Sequence, residues 1–373
     1  MKFDYVIVGA GSAGCVLAAR LTEDANIRVL VLEAGGMDTD PMIKVPLTWA
    51  KMFHDRSHDW GYDFEPEQAT GGRAIECARG LVVGGSSSVN AMAYVRGNRG
   101  DYQRWSRNDL PDWDYAHALP YFKRSESWEK GGDDYRGGDG PLRVTEARFT
   151  DPLIEAYYRA AHSAGYAENA DFNSGDQYGF GRSQQTTRKG YRESAATAYL
   201  HPARKRPNLT LRTKAFVTGI LFDGNRATGI RYEAGGSSHE AHAAREVILA
   251  GGVINSPQLL MLAGIGDADS LRTHDIQVRA DLPGVGKNLQ DHISAGAVYA
   301  RHGSSPFVRQ MRFDRLAIDM PMAYLFGKGP ATQYPVGPQG YMKLTDDAEA
   351  PDIQVLFGAG PMNAHPWFPL IRK

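Results

Sequence analysis

The stretch that decides the fold is residues 4–36, DYVIVGAGSAGCVLAARLTEDANIRVLVLEAGG. An apolar run that ends at Val8 predicts a β-strand, and it leads directly into the glycine-rich sequence GAGSAG at residues 9–14. A helical pattern follows, then a second apolar strand over residues 29–32, which ends at Glu33. The order of strand, glycine-rich turn, helix, strand and acid is typical of a dinucleotide-binding unit.

Each glycine of this turn has an expected role. Gly9 permits the tight turn, Gly11 lets the backbone approach a pyrophosphate, and Gly14 lets the helix pack close to the sheet. The helix N-terminus presents N–H groups and a partial positive charge to phosphates, and Glu33 is placed to accept hydrogen bonds from ribose hydroxyls. A glycine-rich turn without a ligand is the alternative, which the completeness of the unit disfavours. The turn alone does not choose between NAD and FAD.

Composition limits the class of protein. The chain has 373 residues, of which 42% are hydrophobic and 23% charged, enough for two domains. The net charge of −1 gives no overall field for nucleic acid or an anionic membrane. Cys15 and Cys77 form no CxxC pair, so we predict no metal site and a reducing, cytoplasmic location. We find no signal peptide and no apolar run near the ~18 residues of a membrane span.

A second glycine-rich stretch, RGLVVGGSSSVNAMAY at residues 79–94, suits neither a strand interior nor a helix centre. It predicts backbone that passes close to a flat ligand. A serine-rich linker is the alternative, but the flanking residues are too apolar for a solvated linker. Between the two stretches, residues 34–72 predict a loop-rich surface excursion.

The later elements are predicted from their periodicity. We expect helices over residues 114–125 and 153–165, a strand at 208–212, and a hairpin of residues 216–222 and 227–232. The strand EVILA at 246–250 leads into Gly251-Gly252 and a further helix. The composition changes near residue 299, followed by strand-like runs at 339–344 and 352–357. We therefore predict a first domain over residues 1–298, with excursions toward the substrate side, and a second over 299–373.

Four blocks resemble the glucose–methanol–choline (GMC) family of FAD-dependent oxidoreductases, and most of all its choline-dehydrogenase-like branch. They are GAGSAG with Glu33, GGSSSVNAMAYVRG, GGVINSPQLLMLAGIG and PGVGKNLQDH, which together span residues 4–292. The resemblance implies an α/β fold, with a Rossmann-type FAD-binding domain and an incomplete α+β substrate domain that contains an antiparallel sheet. It also implies bound FAD and oxidation of a primary alcohol to an aldehyde by hydride transfer to flavin N5.

The resemblance also assigns cofactor-binding residues by position. The FAD pyrophosphate would be bound by the turn residues Gly9, Gly11, Ser12, Ala13 and Gly14, and the adenosine ribose by Glu33. The residues on the flavin side would be Val82, Gly84, Gly85, Ser86, Asn90, Ala91, Met92 and Ala93. The backbone of Val217 would contact the adenine.

Three positions depart from the family pattern. Leu81 stands where Lys or Arg is common, which removes one polar contact. Val89 stands where some choline oxidases carry the histidine that bonds to FAD, so we expect the flavin to be bound non-covalently. Ser294 stands where choline-specific members carry a glutamate that balances the trimethylammonium group, so an uncharged alcohol is the expected substrate.

The resemblance leaves the catalytic base unassigned. The family's catalytic histidine and its His or Asn partner belong to the C-terminal third, and we expect them beyond Lys373 in a longer protein. Among the residues present, His292 is the candidate base because it follows Asp291 in a glycine-bracketed turn; a structural hydrogen bond is the alternative. An unpaired strand edge at residues 352–357 predicts self-association as a homo-oligomer.

Two other functions remain open at this point. One is the light-driven fatty-acid decarboxylation known in the same family, and the other is a non-catalytic FAD-binding fragment. The residues that distinguish the decarboxylases are expected beyond Lys373. The sequence does not identify the electron acceptor.

Overall fold

The computed structural model describes residues 2–345, 347–360 and 365–368. The strands in these ranges are β1 Lys2–Val8, β2 Val29–Leu32, β3 Asp63–Phe64, β4 Ile75–Glu76, β5 Glu126–Trp128, β6 Leu142–Glu146, β7 Gly179–Arg182, β8 Gln184–Gln185, β9 Thr187–Arg188, β10 Tyr191–Arg192, β11 Leu209–Arg212, β12 Phe216–Asp223, β13 Arg226–Ala234, β14 Ser237–Leu249, β15 Ile265–Gly266, β16 Ala280–Asp281, β17 Val336–Met342 and β18 Ile353–Gly358. The α-helices are α1 Ser12–Leu21, α2 Pro41–Lys44, α3 Trp49–His54, α4 Arg99–Arg107, α5 Tyr115–Ser125, α6 Pro152–Ser163, α7 His201–Ala203, α8 Gly252–Leu262, α9 Ala268–Thr273, α10 Pro306–Gln310 and α11 Phe313–Phe326. Within these ranges, no helix is both long and apolar enough to cross a membrane.

The chain folds into two compact units. The first unit contains Met1–Thr39, Arg56–Val89 and Ser194–Tyr299, and the second contains Asp40–Asp55, Asn90–Glu193 and Ala300–Lys373. The division into domains 1–298 and 299–373 stays a prediction, because compactness alone gives neither unit a role.

A six-stranded sheet forms the centre of the first unit, with the strand order β11-β2-β1-β14-β13-β12. Strands β11, β2, β1 and β14 are parallel, as in a dinucleotide-binding fold, and β13 and β12 add an antiparallel edge. All four residues of β2 are buried, which explains its continuous apolar sequence. The predicted α/β class is therefore confirmed.

The turn between β1 and α1 depends on the absence of side chains at two positions. Gly9 has a φ of +100°, a left-handed conformation that side chains disfavour. A Cβ at Gly14 would lie 1.9 Å from the carbonyl oxygen of Gly9, so α1 packs against the turn only with glycine there. Both roles match the predictions from the sequence.

The second unit contains an antiparallel sheet with the order β18-β17-β7 and a smaller sheet with the order β5-β6-β8. In the larger sheet, Gln339 of β17 lies opposite Leu356 of β18 and Gly181 of β7. The antiparallel sheet agrees with the predicted α+β character. Helix α6 begins at Pro152 after Asp151, whose side chain accepts a hydrogen bond from the backbone N–H of Leu153.

A buried ion cluster joins four segments of the second unit. Arg136 Nη1 lies 2.7 Å from Asp171, and its Nη2 lies 2.5 Å from Glu126. Arg96 Nη2 donates to the other oxygen of Glu126 at 2.7 Å. The side chains of Arg96, Glu126 and Arg136 are between 0% and 2% exposed, so each charge depends on its partners for stabilisation.

The prediction for residues 34–72 was wrong in part, because the segment contains helices α2 and α3. Asp40 accepts a hydrogen bond from the backbone N–H of Met42, and Pro41 occupies the first turn of α2. This pair is a helix start signal. Ile43 and Met52 are buried, so this part of the segment belongs to the protein core rather than to a surface excursion.

Candidate functional site

A cavity of about 790 Å³ lies in the first unit at the carboxyl ends of β1, β2 and β14. Its walls include the glycine-rich turn between β1 and α1 and part of the 79–86 loop. Residues 250–254, which lead into α8 and form its first turn, complete this part of the wall. Both glycine-rich turns therefore border the same space, which is where open α/β sheets bind ligands.

Part of the cavity wall is formed by backbone atoms of glycine residues without side chains. A Cβ at Gly11 would meet no atom closer than 3.9 Å, so a methyl group fits there with only ordinary van der Waals contacts. A Cβ at Gly85 would lie 2.8 Å from Gly11 Cα, and the N–H of Gly84 donates to Ala10 O at 2.7 Å. The 79–94 stretch thus packs directly on the first turn, beside the N-terminus of α1. The first N–H groups of a helix have no intrahelical partner, so they can bind an anion.

Glu33 directly follows β2, lines the cavity and is 5% exposed. Its Oε2 accepts a hydrogen bond from Ala10 N at 2.8 Å, and its Oε1 accepts one from Gly35 N at 2.8 Å. Burial raises the pKa of this carboxyl, and the two backbone hydrogen bonds oppose that rise. Each carboxylate oxygen has a second lone pair, so Glu33 can also accept from a ligand hydroxyl.

Aromatic side chains form another part of the wall, and their role was not predicted from the sequence. Trp60 and Tyr62 stack with ring centroids 5.7 Å apart, and Phe216 lies 6.1 Å from Trp60. The hydroxyl of Tyr62 donates to Asn255 Oδ1 at 2.7 Å. The available signal was the aromatic spacing of DWGYDF at residues 59–64, but nothing in the sequence connects it with residues 216 and 255.

Arg79 is the cationic side chain among the described residues that line this cavity. Its Nη1 donates to Ala78 O at 2.6 Å, and its Nη2 lies 3.8 Å from Asp291. Leu81, which stands where a basic residue is common in the family, is not part of the cavity wall. Arg79, two positions before Leu81, nevertheless gives this wall a positive charge.

The structure brings together many, but not all, of the residues assigned by resemblance. Those that line the cavity are Gly9, Gly11, Ser12, Ala13, Glu33, Gly85, Ser86 and Val217. Gly14, Val82 and Gly84 lie behind this surface: Gly14 packs α1 against the turn, Val82 is fully buried, and Gly84 hydrogen-bonds to the turn. Asn90, Ala91, Met92 and Ala93 belong to the second unit.

His292 lies in an exposed segment without regular structure. Its backbone N–H donates to Asp291 Oδ1 at 2.8 Å, and its side chain does not line the cavity. Its role as a base stays a prediction.

The two cysteines are buried and unpaired. Cys15 Sγ lies 3.2 Å from Ala10 O, and burial raises the pKa of its thiol to about 12. This agrees with the interpretation of Cys15 as a small packed side chain.

Comparison of the sequence with models of known protein families identifies the family of this chain. The sequence model described as GMC oxidoreductase matches residues 3–294, which is well over half of the chain. The chain belongs to the GMC oxidoreductase family. The family resemblance seen in four sequence blocks is thus confirmed, and with it FAD as the family's cofactor.

Individual GMC relatives give the extent of the similarity. The chain is 44% identical over 368 residues to the mitochondrial choline dehydrogenase of Mus musculus, covering 95% of this chain and 61% of that protein. It is 43% identical over 364 residues to the oxygen-dependent choline dehydrogenase of Staphylococcus xylosus, covering 95% and 64%. The chain therefore spans about three fifths of the length of these curated GMC relatives.

Solved GMC structures agree with this fold. Pyridoxine 4-oxidase from Mesorbium loti matches with a TM-score of 0.85 at 34% identity, covering 98% of this chain and 69% of that one. An FAD-dependent oxidoreductase from Chaetomium thermophilum matches with a TM-score of 0.81 at 28% identity, covering 92% and 62%.

Proposed function

We propose that the chain binds FAD non-covalently in the cavity of the first unit, as part of an enzyme that oxidises an uncharged primary alcohol to an aldehyde. The observation that carries this proposal is the backbone of Gly11, which lines the cavity beside the N-terminus of α1 and has no side chain to obstruct a ligand. Because the chain spans about three fifths of its curated relatives, the activity of the whole protein is part of the proposal.

The residues of the cavity fit a dinucleotide. Gly11 and Ser12 offer backbone N–H groups to the pyrophosphate, and Arg79 adds a positive charge to the same wall. Glu33 accepts from the adenosine ribose, and the backbone at Val217 contacts the adenine. FAD, when bound, supplies the two-electron acceptor for the hydride that leaves the alcohol carbon.

The mode of attachment follows from one side chain. Val89 has no nucleophilic atom, so it forms no bond to the flavin, which supports non-covalent binding. Acid precipitation of the yellow protein is expected to leave the flavin in the supernatant. Flavin retained in the washed pellet would contradict this part of the proposal.

The choice of an uncharged alcohol depends on Ser294. A hydroxyl gives a quaternary ammonium much less stabilisation than a carboxylate does, although several relatives are named for choline. The alternatives differ in observable products. Alkane release from a fatty acid under illumination would indicate decarboxylation, and a yellow protein that no alcohol bleaches would indicate a flavin-binding role without turnover.

The test of FAD binding uses two glycines that both have room for a methyl group. Gly11 belongs to the cavity wall, and a Cβ there would meet no atom closer than 3.9 Å. Gly219 lies outside the cavity wall, and a Cβ there would meet nothing within 4 Å. We expect Gly11→Ala to fold normally and to raise the Kd for FAD at least tenfold in fluorescence titrations, and Gly219→Ala to leave the Kd unchanged. Equal affinities in both variants would contradict the placement of the pyrophosphate.

The cellular location and the oligomeric state stay predictions. The buried, unpaired cysteines suit a reducing cytoplasm as well as they suit any other reducing compartment. Self-association through the edge strand β18 is checked by the concentration dependence of the sedimentation coefficient.

A further inference from the structure

Arg192 is a buried cation of the second unit. It belongs to strand β10 and is 3% exposed. Burial lowers the pKa of its guanidinium group to about 10, which still leaves the group charged at neutral pH. Because a charge is costly to remove from water, the contacts of Arg192 indicate what it does in the protein.

The guanidinium group of Arg192 connects two backbone segments that are distant in the sequence. Its Nε donates to Ile43 O, in helix α2, at 2.9 Å. Its Nη1 donates to Asn90 O at 2.6 Å and to Asn90 Oδ1 at 3.1 Å. Since the guanidinium group is planar and rigid, these contacts fix both the backbone and the side chain of Asn90.

The side chain of Asn90 in turn stabilises an unusual backbone conformation at Met92. Met92 has a φ of +58°, a left-handed conformation that is disfavoured for a residue with a side chain. Its N–H donates to Asn90 Oδ1 at 3.0 Å, and its side chain is fully buried. A continuous set of hydrogen bonds therefore leads from Arg192 through Asn90 to the strained residue.

The following carbonyl groups are also held in place. The hydroxyl of Tyr334 donates to Ala91 O, and the N–H of Thr186 donates to Met92 O at 2.9 Å. Together with the hydrogen bond to Asn90 O, three consecutive carbonyl groups are thus restrained. Strained backbone that several contacts hold in place is found most often at functional sites.

We propose that Arg192 is a positioning residue, which acts through Asn90 to set the conformation of residues 90–93 for the bound flavin. This inference rests on the proposed function, because the family resemblance assigns residues 90–93 to the flavin side of the FAD site. A residue that only stabilised the second unit would change its unfolding temperature. A residue that positions this run also changes the absorption and fluorescence of the flavin.

The test separates the shape of the guanidinium group from its charge. Arg192→Lys keeps the charge, but its single nitrogen replaces the two that contact Ile43 and Asn90, so we expect contacts to be lost. The matched control is Arg182→Lys. Arg182 belongs to the same unit and is half-buried, and its Nη1 donates to a different carbonyl, Ala147 O, at 3.2 Å.

The first measurement is made on the full chain without FAD. Isotope-labelled methionine allows the hydrogen exchange rate of the Met92 amide to be followed by NMR. Because this amide donates to Asn90 Oδ1, we expect Arg192→Lys and Asn90→Ala each to speed its exchange at least tenfold. Arg182→Lys should leave the rate unchanged. Unchanged exchange in Arg192→Lys would overturn the inference.

The second measurement is made with FAD. Arg192→Lys is expected to raise the Kd for FAD at least fivefold and to shift the flavin absorption and fluorescence spectra, and Arg182→Lys to change neither. The double variant of Arg192→Lys and Asn90→Ala should raise the Kd by less than the product of the two single effects, because the two residues act together. An unaltered flavin spectrum in Arg192→Lys, or single effects that multiply, would overturn the inference.

A variant at the exposed partner keeps the test decisive if Arg192→Lys does not fold. Asn90 is exposed, so Asn90→Ala is expected to fold while it removes the acceptor that Arg192 and Met92 share. Faster exchange of the Met92 amide and a shifted flavin spectrum in this variant would support the inference. Unchanged values of both would overturn it.

The failure of this inference differs from the failure of the proposed function. A chain that takes up no FAD, but whose Met92 exchange depends on Arg192, would contradict the proposed cofactor and leave the hydrogen-bonded run as described. FAD binding that depends on Gly11, with a flavin spectrum indifferent to Arg192, would contradict only the positioning role.

Discussion

Glu33 Oε2 lies 2.8 Å from the backbone nitrogen of Ala10 and accepts its N–H. The carboxylate thereby connects the end of β2 to the turn after β1, and its second oxygen holds Gly35 N at 2.8 Å. A residue expected to bind only a ribose therefore also fixes the shape of the turn. Substitutions at Glu33 are expected to change the stability of the first unit as well as its affinity for FAD.

The first prediction concerns Glu33→Gln. The carboxylate accepts two backbone N–H groups, whereas an amide must place its own NH₂ against one of them. We expect the free energy of unfolding to fall by about 1–3 kcal/mol, and FAD affinity to weaken by a similar amount. Urea unfolding and FAD titration measure the two effects. The control is Glu23→Gln, an exposed partner of Arg20, which should change neither quantity. An unchanged Kd for FAD with reduced stability would show that Glu33 holds the turn alone.

The second prediction is the pH dependence of this site. Burial raises the pKa of Glu33 above its ordinary value of 4.5. A carboxyl with a raised pKa in the folded state favours folding most when protonated, so its contribution is fully present below about pH 4.5 and is lost as pH rises through the folded pKa. The difference in unfolding free energy between the unaltered chain and Glu33→Gln should therefore shrink as the pH rises above about 4.5. A difference that grows with pH would mean that the two hydrogen bonds outweigh burial.

The third prediction separates packing from ligand contact within one motif. A Cβ at Gly14 would lie 1.9 Å from Gly9 O, so Gly14→Ala must push α1 away from the turn. We expect it to lower the free energy of unfolding by about 1–3 kcal/mol, as overpacking does, and to do so equally with and without FAD in excess. Gly11→Ala is the matched variant, since its methyl group has room in the absence of ligand. Thermal unfolding of both proteins measures the difference. Equal stability of the two variants would contradict the packing role of Gly14.

The fourth prediction concerns the buried ion cluster of the second unit. Glu126→Gln removes the negative charge that pairs with both Arg96 and Arg136. The carboxylate of Asp171, which pairs with Arg136, is then the negative charge that is left in the cluster. We expect a loss of about 3–5 kcal/mol in unfolding free energy, the usual cost of breaking a buried pair from one side. The control is Asp314→Asn, which removes an exposed partner of Arg312 and should leave the free energy of unfolding nearly unchanged. A small effect at Glu126 would indicate that water reaches the cluster.

The sequence predicted those structural elements that depend on features of their own short segment of chain. The turn after β1, helix α1 and the hairpin of β12 and β13 follow from glycine positions and periodicity, and the structure confirms them. Helix α2 was missed although its signal, Asp40 before Pro41, was present in the sequence.

The rest of the candidate site depends on contacts between distant segments. Tyr62 donates a hydrogen bond to Asn255, which is 193 positions later in the chain. The ring of Trp60 likewise contacts that of Phe216 from a distant segment. Periodicity and motif spacing carry no information on such pairs, because they describe each segment separately.

The burial of both cysteines makes this chain a convenient background for site-specific labelling. With a pKa of about 12, the thiol of Cys15 is almost entirely protonated at neutral pH, and Cys77 is 4% exposed. A maleimide dye or a spin label should therefore react with a single cysteine introduced at an exposed position, without removal of the native pair. Distances between labels on the two compact units would then report how each unit responds when FAD or an alcohol is added.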